Sequence, residues 1–337
     1  MDKNKILSTI LYFVDSEFRK AQDLKITQTE LRGLDWPAAF KLAKDNKVLY
    51  EFCSNISKEF PSLENNKIEE VISQAKECFR SFKDTVEFIH SLFDEEGIDF
   101  IFVKTFKSIP HLTRDIDVLI DYSSHNKAFK ILEESPLSET GGKFSKTIQN
   151  LGLDTAHYGK PGLLDIDIYS GMPWHQAPTM DDEFLWDKPR SVNAYGVDYR
   201  IPNREADFLS MVANNIFTNP YITILDFLYL NFLMKSGLNF DIINKQIGKF
   251  GWKEAFYQFL DQIKRIDREV YESDFSSSKI VFPYPIRLPI LLKAVLGPVR
   301  YQIKREPKSA MKSLKLIGYR CFFGRLYSNI YKIIKGK

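Results

Sequence analysis

The stretch Arg114-Asp115-Ile116-Asp117-Val118-Leu119-Ile120-Asp121 alternates strictly, with Ile116, Val118 and Ile120 on one side and Asp115, Asp117, Leu119 and Asp121 on the other. That period of two predicts a strand with one apolar face. Fifty residues on, Leu164-Asp165-Ile166-Asp167-Ile168-Tyr169 repeats the pattern. On a strand, residues i and i+2 point the same way, roughly 6.5–7 Å apart at the backbone. Each Asp-Ile-Asp therefore aims two carboxylates at one place. A single such pair is also what a solvated sheet face carries. Two pairs on strongly apolar strands, if the strands are neighbours, gather charge that a metal or a cationic partner would offset.

Texture around these strands predicts the architecture. Residues 1–95 read as helical: Thr27-Gln-Thr-Glu30 is a capping-box pattern and Asp35 is a good N-cap before Trp36. The clearest helix runs over 67–96, with apolar residues recurring at three and four from Ile68 to Phe93 and Gly97 where a C-cap belongs. Residues 98–103 read as a strand, and 124–133 as a helix. Strands at 153–158 and 163–169 flank Gly159-Lys-Pro-Gly162, a hairpin turn, and a second hairpin bends near 193–196. Helices return over 203–217, around 222–234 and from Gly251, and Pro283, Pro285 and Pro289 are expected to break the chain before a basic tail. The expected fold class is α+β: a small mixed or antiparallel sheet with helices, flanked by N- and C-terminal helical regions. The expected divisions are 1–95 helical, 96–202 αβ core, 203–299 helical and 300–337 a basic amphipathic tail.

Composition sets limits on function. The chain has 337 residues, 44% apolar, 27% charged and 14% aromatic, which suits a folded protein and excludes a disordered or collagenous one. Cys53, Cys78 and Cys321 lie far apart and fit neither a disulfide framework nor a zinc site, so a reducing compartment is expected. The apolar run 6–14 is followed at once by Asp15 and Glu17, without a signal-peptidase site, and the most apolar later stretch, 222–234, is interrupted by Asp226 and Asn231. No transmembrane segment is expected, and the location is expected to be cytoplasmic, with peripheral membrane contact as an option. The net charge of +3 hides an asymmetry. Residues 300–337 hold eleven Lys/Arg and one acid, Glu306, leaving 36 bases against 43 acids in the rest. The tail therefore suits an anionic membrane surface or nucleic acid, or else docks on the body through Met311, Leu314 and Ile317.

Two carboxylates on one strand and a third on another meet the needs of a two-metal phosphoryl or nucleotidyl transfer site. Lys104 and Lys107, just after the first strand, are candidates to hold phosphates, with Thr105 and Ser108 as hydroxyl donors; the alternative is ordinary loop residues. His157 and His175 could face the site. Trp174 and Tyr169 are placed either to stack on a base or to pack, and Asn214, Asn215 and Asp226 could line a cleft.

Phe102-Val-Lys104-Thr, then Arg114-Asp-Ile-Asp117-Val-Leu-Ile, then Leu164-Asp-Ile-Asp167-Ile-Tyr, with a helical lead-in over 34–49, resemble the nucleotidyltransferase superfamily of DNA polymerase β-like fold. More narrowly they resemble its poorly characterised prokaryotic "nucleotidyltransferase family protein" group, over residues 30–235. The resemblance implies a nucleotidyltransferase sheet and a magnesium-dependent transferase (EC 2.7.7.-) that moves NMP from an NTP, such as ATP, to an acceptor with release of pyrophosphate. Acceptor classes include a sugar phosphate, another small molecule, a protein or RNA. Asp115, Asp117 and Asp167 would be the catalytic, metal-holding carboxylates for Mg²⁺ or Mn²⁺, two ions, with Asp165 auxiliary. Lys104, Thr105, Lys107 and Ser108 would bind the nucleotide. Thr105 stands where the family has the glycine of its phosphate-cradling helix start, which bears on activity, and Tyr169 stands where relatives often carry histidine. Two alternatives remain open: a catalytically degenerate nucleotide- or RNA-binding member of the same fold, or an Asp-x-Asp glycosyltransferase, although the latter requires a βαβ half ahead of the motif.

Overall fold

The computed structural model describes residues 3–63, 65–139, 155–169, 171, 173–174, 177–272, 275 and 280–305. His175 and most of the basic tail lie outside the described residues.

Six helices come first: α1 (Lys3–Val14), α2 (Ser16–Ala21), α3 (Gln28–Arg32), α4 (Trp36–Asp45), α5 (Leu49–Glu59) and α6 (Asn66–Phe93). The expected caps are present. Thr27 and Glu30 close a capping box on α3, and the Asp35 carboxylate accepts from Ala38 N at 3.1 Å. Each satisfies a backbone donor that the first turn leaves unpaired. Helix α6 has 28 residues, enough at 1.5 Å each to span about 40 Å. It serves two cores: Ile68 and Val71 join the helical one, whereas Phe82, Val86, Ile89 and Phe93 pack under the sheet. After α6 the chain reverses at Gly97, whose φ of 63° only glycine adopts readily, and Ile98 N reaches back to Phe93 O at 3.0 Å.

The sheet comprises β1 (Phe100–Val103), β2 (Asp115–Ile120), β3 (Ser138–Glu139), β4 (Thr155–Gly159) and β5 (Asp165–Tyr169), with α7 (His125–Glu134) between β2 and β3. Spatial order is β1-β2-β5-β4-β3. Strands β2 and β5 run parallel and every other pair is antiparallel, so the sheet is mixed. The expected hairpin joins β4 to β5, with Gly162 at φ 89° and Leu163 N on Lys160 O.

Alternation gives the sheet two unlike faces. Phe100, Phe102, Ile116, Val118, Ile120, Ile166 and Ile168 are buried against α6 and α7. The same core takes Val197, Tyr199 and Ile201. Ile101, Val103 and Leu119 turn the other way and enter the helical core. Asp115, Asp117, Asp165 and Asp167 share that second face.

Two-residue strands β6 (Pro173–Trp174) and β7 (Ala177–Pro178), and helix α8 (Asp182–Trp186), precede the second expected hairpin, β8 (Arg190–Ala194) with β9 (Val197–Ile201). Its two-residue turn places Tyr195 and Gly196 at φ 54° and 79°. Then follow α9 (Arg204–Ala213), a π-helical turn (Asn214–Thr218), β10 (Tyr221–Ile222), α10 (Ile224–Lys235), α11 (Phe240–Lys249), α12 (Lys253–Tyr271), β11 (Tyr284–Pro285) and α13 (Leu288–Arg305). The π turn ends regular helix α9 short of the expected Phe217.

Helices from both ends of the chain bury one core. Phe18 meets Phe275 edge-on, Gln22 Nε2 donates to Val270 O, and Tyr271 Oη donates to Asp15. Helix α10 is buried nearly all round, which explains its near-continuous apolar sequence. Pro289 does not break the chain as expected. It lies in the first turn of α13, where its missing N–H has no intrahelical partner to lose. That helix runs to Arg305, so the charge-based boundary at 300 falls inside it. Among the described residues, no helix is long and apolar enough to cross a membrane.

Candidate functional site

Strand register assembles the acids. Asp115 pairs with Asp165, and Asp117 with Asp167, across the parallel β2–β5 ladder. Neighbouring strands lie about 4.8 Å apart, so four carboxylates crowd one end of one face. Asp115 and Asp165 are exposed, whereas the side chains of Asp117 and Asp167 are only 16% and 15% exposed. Partial burial of its carboxyl, followed by the charges of Asp117 and Asp167, holds Asp115 above the ordinary carboxylate range. A hydrogen bond from Thr113 Oγ1, 3.2 Å from Asp115 Oδ1, opposes that shift.

Two bases flank the inner acids. Lys104 Nζ donates to Asp117 Oδ1 at 2.8 Å and to Tyr169 Oη at 3.2 Å, and it sits 4.4 Å from the centre of the Tyr169 ring. Burial, with the charges of Asp117 and Asp167, pushes the Tyr169 hydroxyl far up, so it stays protonated. On the other flank His157, opposite Asp167 in the β4–β5 ladder, brings Nδ1 to 2.6 Å from Asp167 Oδ1. A carboxylate can only accept, so Nδ1 carries the proton. That hydrogen bond raises the His157 pKa above its ordinary value, against partial burial.

The loop after β1 behaves differently from the sequence expectation. No helix begins between residues 104 and 114, so the phosphate-cradling helix start that the resemblance implies is not formed there. Lys104 takes a φ of 58°. The turn it makes sends Thr105 inward, buried, with Oγ1 bonded to Val103 O at 3.0 Å. Lys107 Nζ donates to Lys104 O at 2.7 Å, lies 3.0 Å from Met211 Sδ and stands 4.9 Å from the centre of the Tyr229 ring. Burial pushes the Lys107 ammonium down to about 8, opposed by Asp226 and Asp207. Ser108 is half-buried and makes no hydrogen bond among the described residues. The structure thus brings together Lys104, Asp115, Asp117, Asp165, Asp167, His157 and Tyr169. It does not bring the side chains of Thr105, Lys107 and Ser108 onto that group.

Asn215 and Asp226 do internal work: Asn215 Nδ2 bonds Met211 O, and Asp226 completes a capping box with Thr223 at the start of α10. The side chain of Trp174 lies outside the described residues. Sequence reasoning missed a buried cluster next to the loop. Asp207 accepts from Arg190 Nη2 at 2.7 Å and from Tyr229 Oη, and burial raises its pKa. The available signal was an acid set between Ala206 and Phe208 where the helix turns apolar.

Among the described residues, no three His, Cys, Asp or Glu side chains stand as a ready-made metal cluster. Lys104 and His157 each engage an oxygen of the inner acids instead. The donor set itself is all carboxylate oxygen, the chemistry that Mg²⁺ and Mn²⁺ prefer, and the mutual repulsion felt at Asp115 is what a divalent cation would relieve. No family model, curated protein or solved structure matches the chain.

Proposed function

We propose that this protein is a metal-dependent nucleotidyltransferase, moving NMP from an NTP to a hydroxyl-bearing acceptor with release of pyrophosphate. The observation that carries the reading is the register of Asp115 and Asp117 against Asp165 and Asp167 on neighbouring parallel strands. Asp115, Asp117 and Asp167 would hold Mg²⁺ or Mn²⁺, and Asp165 lies close enough in register to assist. The ions, when bound, supply charge stabilisation for pyrophosphate departure and lower the pKa of the attacking hydroxyl. Asp167 is the carboxylate suited either to anchor an ion or to take the hydroxyl proton, since its partner His157 can share the charge. Lys104, bonded to Asp117 at 2.8 Å, is the lysine suited to meet phosphate. Among the described residues, six helices and one antiparallel strand precede Asp115, so no βαβ unit stands ahead of the motif there. That weighs against the glycosyltransferase alternative.

A second reading is favoured by a specific observation. Lys104 and His157 partly neutralise the inner acids without any metal, as a nucleotide- or RNA-binding member without catalysis would need. One experiment separates the two: calorimetric titration with each of the four NTPs, with and without Mg²⁺ or Mn²⁺, beside the Asp115→Ala/Asp117→Ala double variant. Metal-dependent NTP binding that the variant loses is the expected result. Metal-independent binding, or none, overturns the enzyme reading.

A further inference from the structure

Lys104 is held in place more firmly than a loop lysine usually is. Its backbone lies in the left-handed region, at φ 58°, which a residue with a Cβ avoids unless its surroundings enforce it. Contacts at both its carbonyl and its ammonium accompany that conformation here. Lys107 Nζ donates to its carbonyl, Asp117 Oδ1 accepts from its ammonium, and the Tyr169 ring lies beneath that ammonium. The side chains of Lys104 and Asp117 are 17% and 16% exposed, so the pair is screened poorly by solvent yet not sealed from it.

The position of that ammonium has a consequence for anything binding the acids. A divalent cation approaching Asp117 meets a like charge within a few ångströms, so it binds against repulsion. A polyphosphate arriving with the cation offers the ammonium a new partner. The lysine stem is flexible and its three donors need no fixed geometry, so the ammonium can swing without moving the backbone. The Tyr169 ring, 4.4 Å from the ammonium, adds a cation–π contact where it now rests.

We propose, resting on the metal-site reading above, that Lys104 is an exchangeable internal counter-cation. It neutralises Asp117 while the face is empty and moves to the phosphates of a docking cation–polyphosphate complex. Cation and polyphosphate are then taken up as a unit, each raising the affinity for the other, as linkage requires.

The test uses the full chain and Mn²⁺ as probe, with free ion followed by electron paramagnetic resonance in wild type, Lys104→Met and Lys104→Arg. Calorimetry then follows Mn²⁺–tripolyphosphate binding to the same three proteins. Lys104→Met is expected to bind Mn²⁺ alone roughly tenfold more tightly, because a like charge has been removed. It is expected to bind Mn²⁺–tripolyphosphate roughly tenfold more weakly, because a charge-assisted contact is lost. Lys104→Arg should return both values towards wild type. Unchanged or weaker Mn²⁺ binding by Lys104→Met overturns the proposal and makes Lys104 a fixed structural partner. Absence of Mn²⁺ binding in wild type and Lys104→Met alike overturns the metal-site reading as well, which separates the two failures.

Amidination of Lys104 in wild type, read by peptide mass, does not depend on the variant folding. Mn²⁺ alone should speed modification by freeing the ammonium, and Mn²⁺–tripolyphosphate should slow it below the ligand-free rate. A rate that Mn²⁺ leaves unchanged also overturns the proposal.

Discussion

Asp117 and Asp167 are register partners on parallel strands, and each is bound by a different base, Lys104 at 2.8 Å and His157 at 2.6 Å. The inner acids of the face are thus partly compensated from its two flanks. Asp115, among the described residues, has only the Thr113 hydroxyl for a side-chain partner. Acids that look alike in sequence therefore differ in their energetic effect.

That difference predicts opposite effects for two similar substitutions. Asp115 has its pKa raised above 3.8 by burial and by its acidic neighbours, so its ionised form destabilises the fold. The penalty is present at pH 7, shrinks as pH falls through the raised value, and vanishes below 3.8. Asp115→Asn should therefore gain about 0.5 kcal/mol at pH 7, a small effect because the residue is exposed, and the gain should fade towards pH 3. Asp117→Asn should lose about 2 kcal/mol, because the Lys104 ammonium is left without its counter-charge. Urea melts of the two variants across that pH range check both signs.

His157 should titrate above its ordinary pKa of 6.5, because its protonated form is held by Asp167. The stabilisation it contributes is complete below 6.5 and is lost as pH rises through the raised value. Its side chain is 44% exposed, so the energetic effect is modest and the pKa is the better readout. Proton NMR titration of the ligand-free protein should place the midpoint above 6.5, and Asp167→Asn should bring it back down. A midpoint unaffected by that substitution would show that the His157–Asp167 contact carries no charge.

The buried cluster of Arg190, Asp207 and Tyr229 ties β8 to α9 and α10 beside the loop that carries Lys104. Asp207→Ala leaves the Arg190 guanidinium without its partner in a low-dielectric setting and should cost about 3–5 kcal/mol. Tyr229→Phe, which removes only one donor, should cost about 1–2 kcal/mol. Arg190→Met combined with Asp207→Leu should recover much of the loss, since neither charge is then left alone. Chemical denaturation of the single and double variants tests the coupling, and a strictly additive double variant would argue against it.

Alternation at 114–121 and 164–169 was enough to read two acidic strands, because a strand's period is local. Their parallel pairing, and the meeting of Asp117 with Asp167, was not legible, because register between segments separated by a helix and a hairpin is set by the whole sheet. Lys104 was visible as a base just after a strand, but its left-handed backbone was not. That conformation is what turns Thr105 inward and removes it from the site. His157 reaches Asp167 only through the register of β4 on β5. Lys107 looked equivalent to Lys104 in sequence. Only the packing of the loop against α9 and α10 shows that one faces the acids and the other faces Met211 and Tyr229.

The two lysines diverge in environment, and Lys107 should titrate differently in the folded and unfolded chain. Lys107 is half-buried, and burial pushes its ammonium down to about 8 from an ordinary 10.5, even with Asp226 and Asp207 opposing. The unfolded chain thus binds this proton more tightly than the folded one between those two values, so folding releases it. Stability contributed by Lys107 should therefore rise with pH from about 8 to 10.5. Because other groups titrate in the same range, the quantity to measure is the difference in unfolding free energy between wild type and Lys107→Met. That difference should move in favour of wild type as pH rises from 8 to 10. A neutral Lys107 amine still donates to Lys104 O, so the loop keeps its brace while the buried charge disappears. If Lys107 acted instead as a cation bound to Asp207 and Asp226, deprotonation would remove its attraction to them. The difference would then move in favour of the variant over the same range.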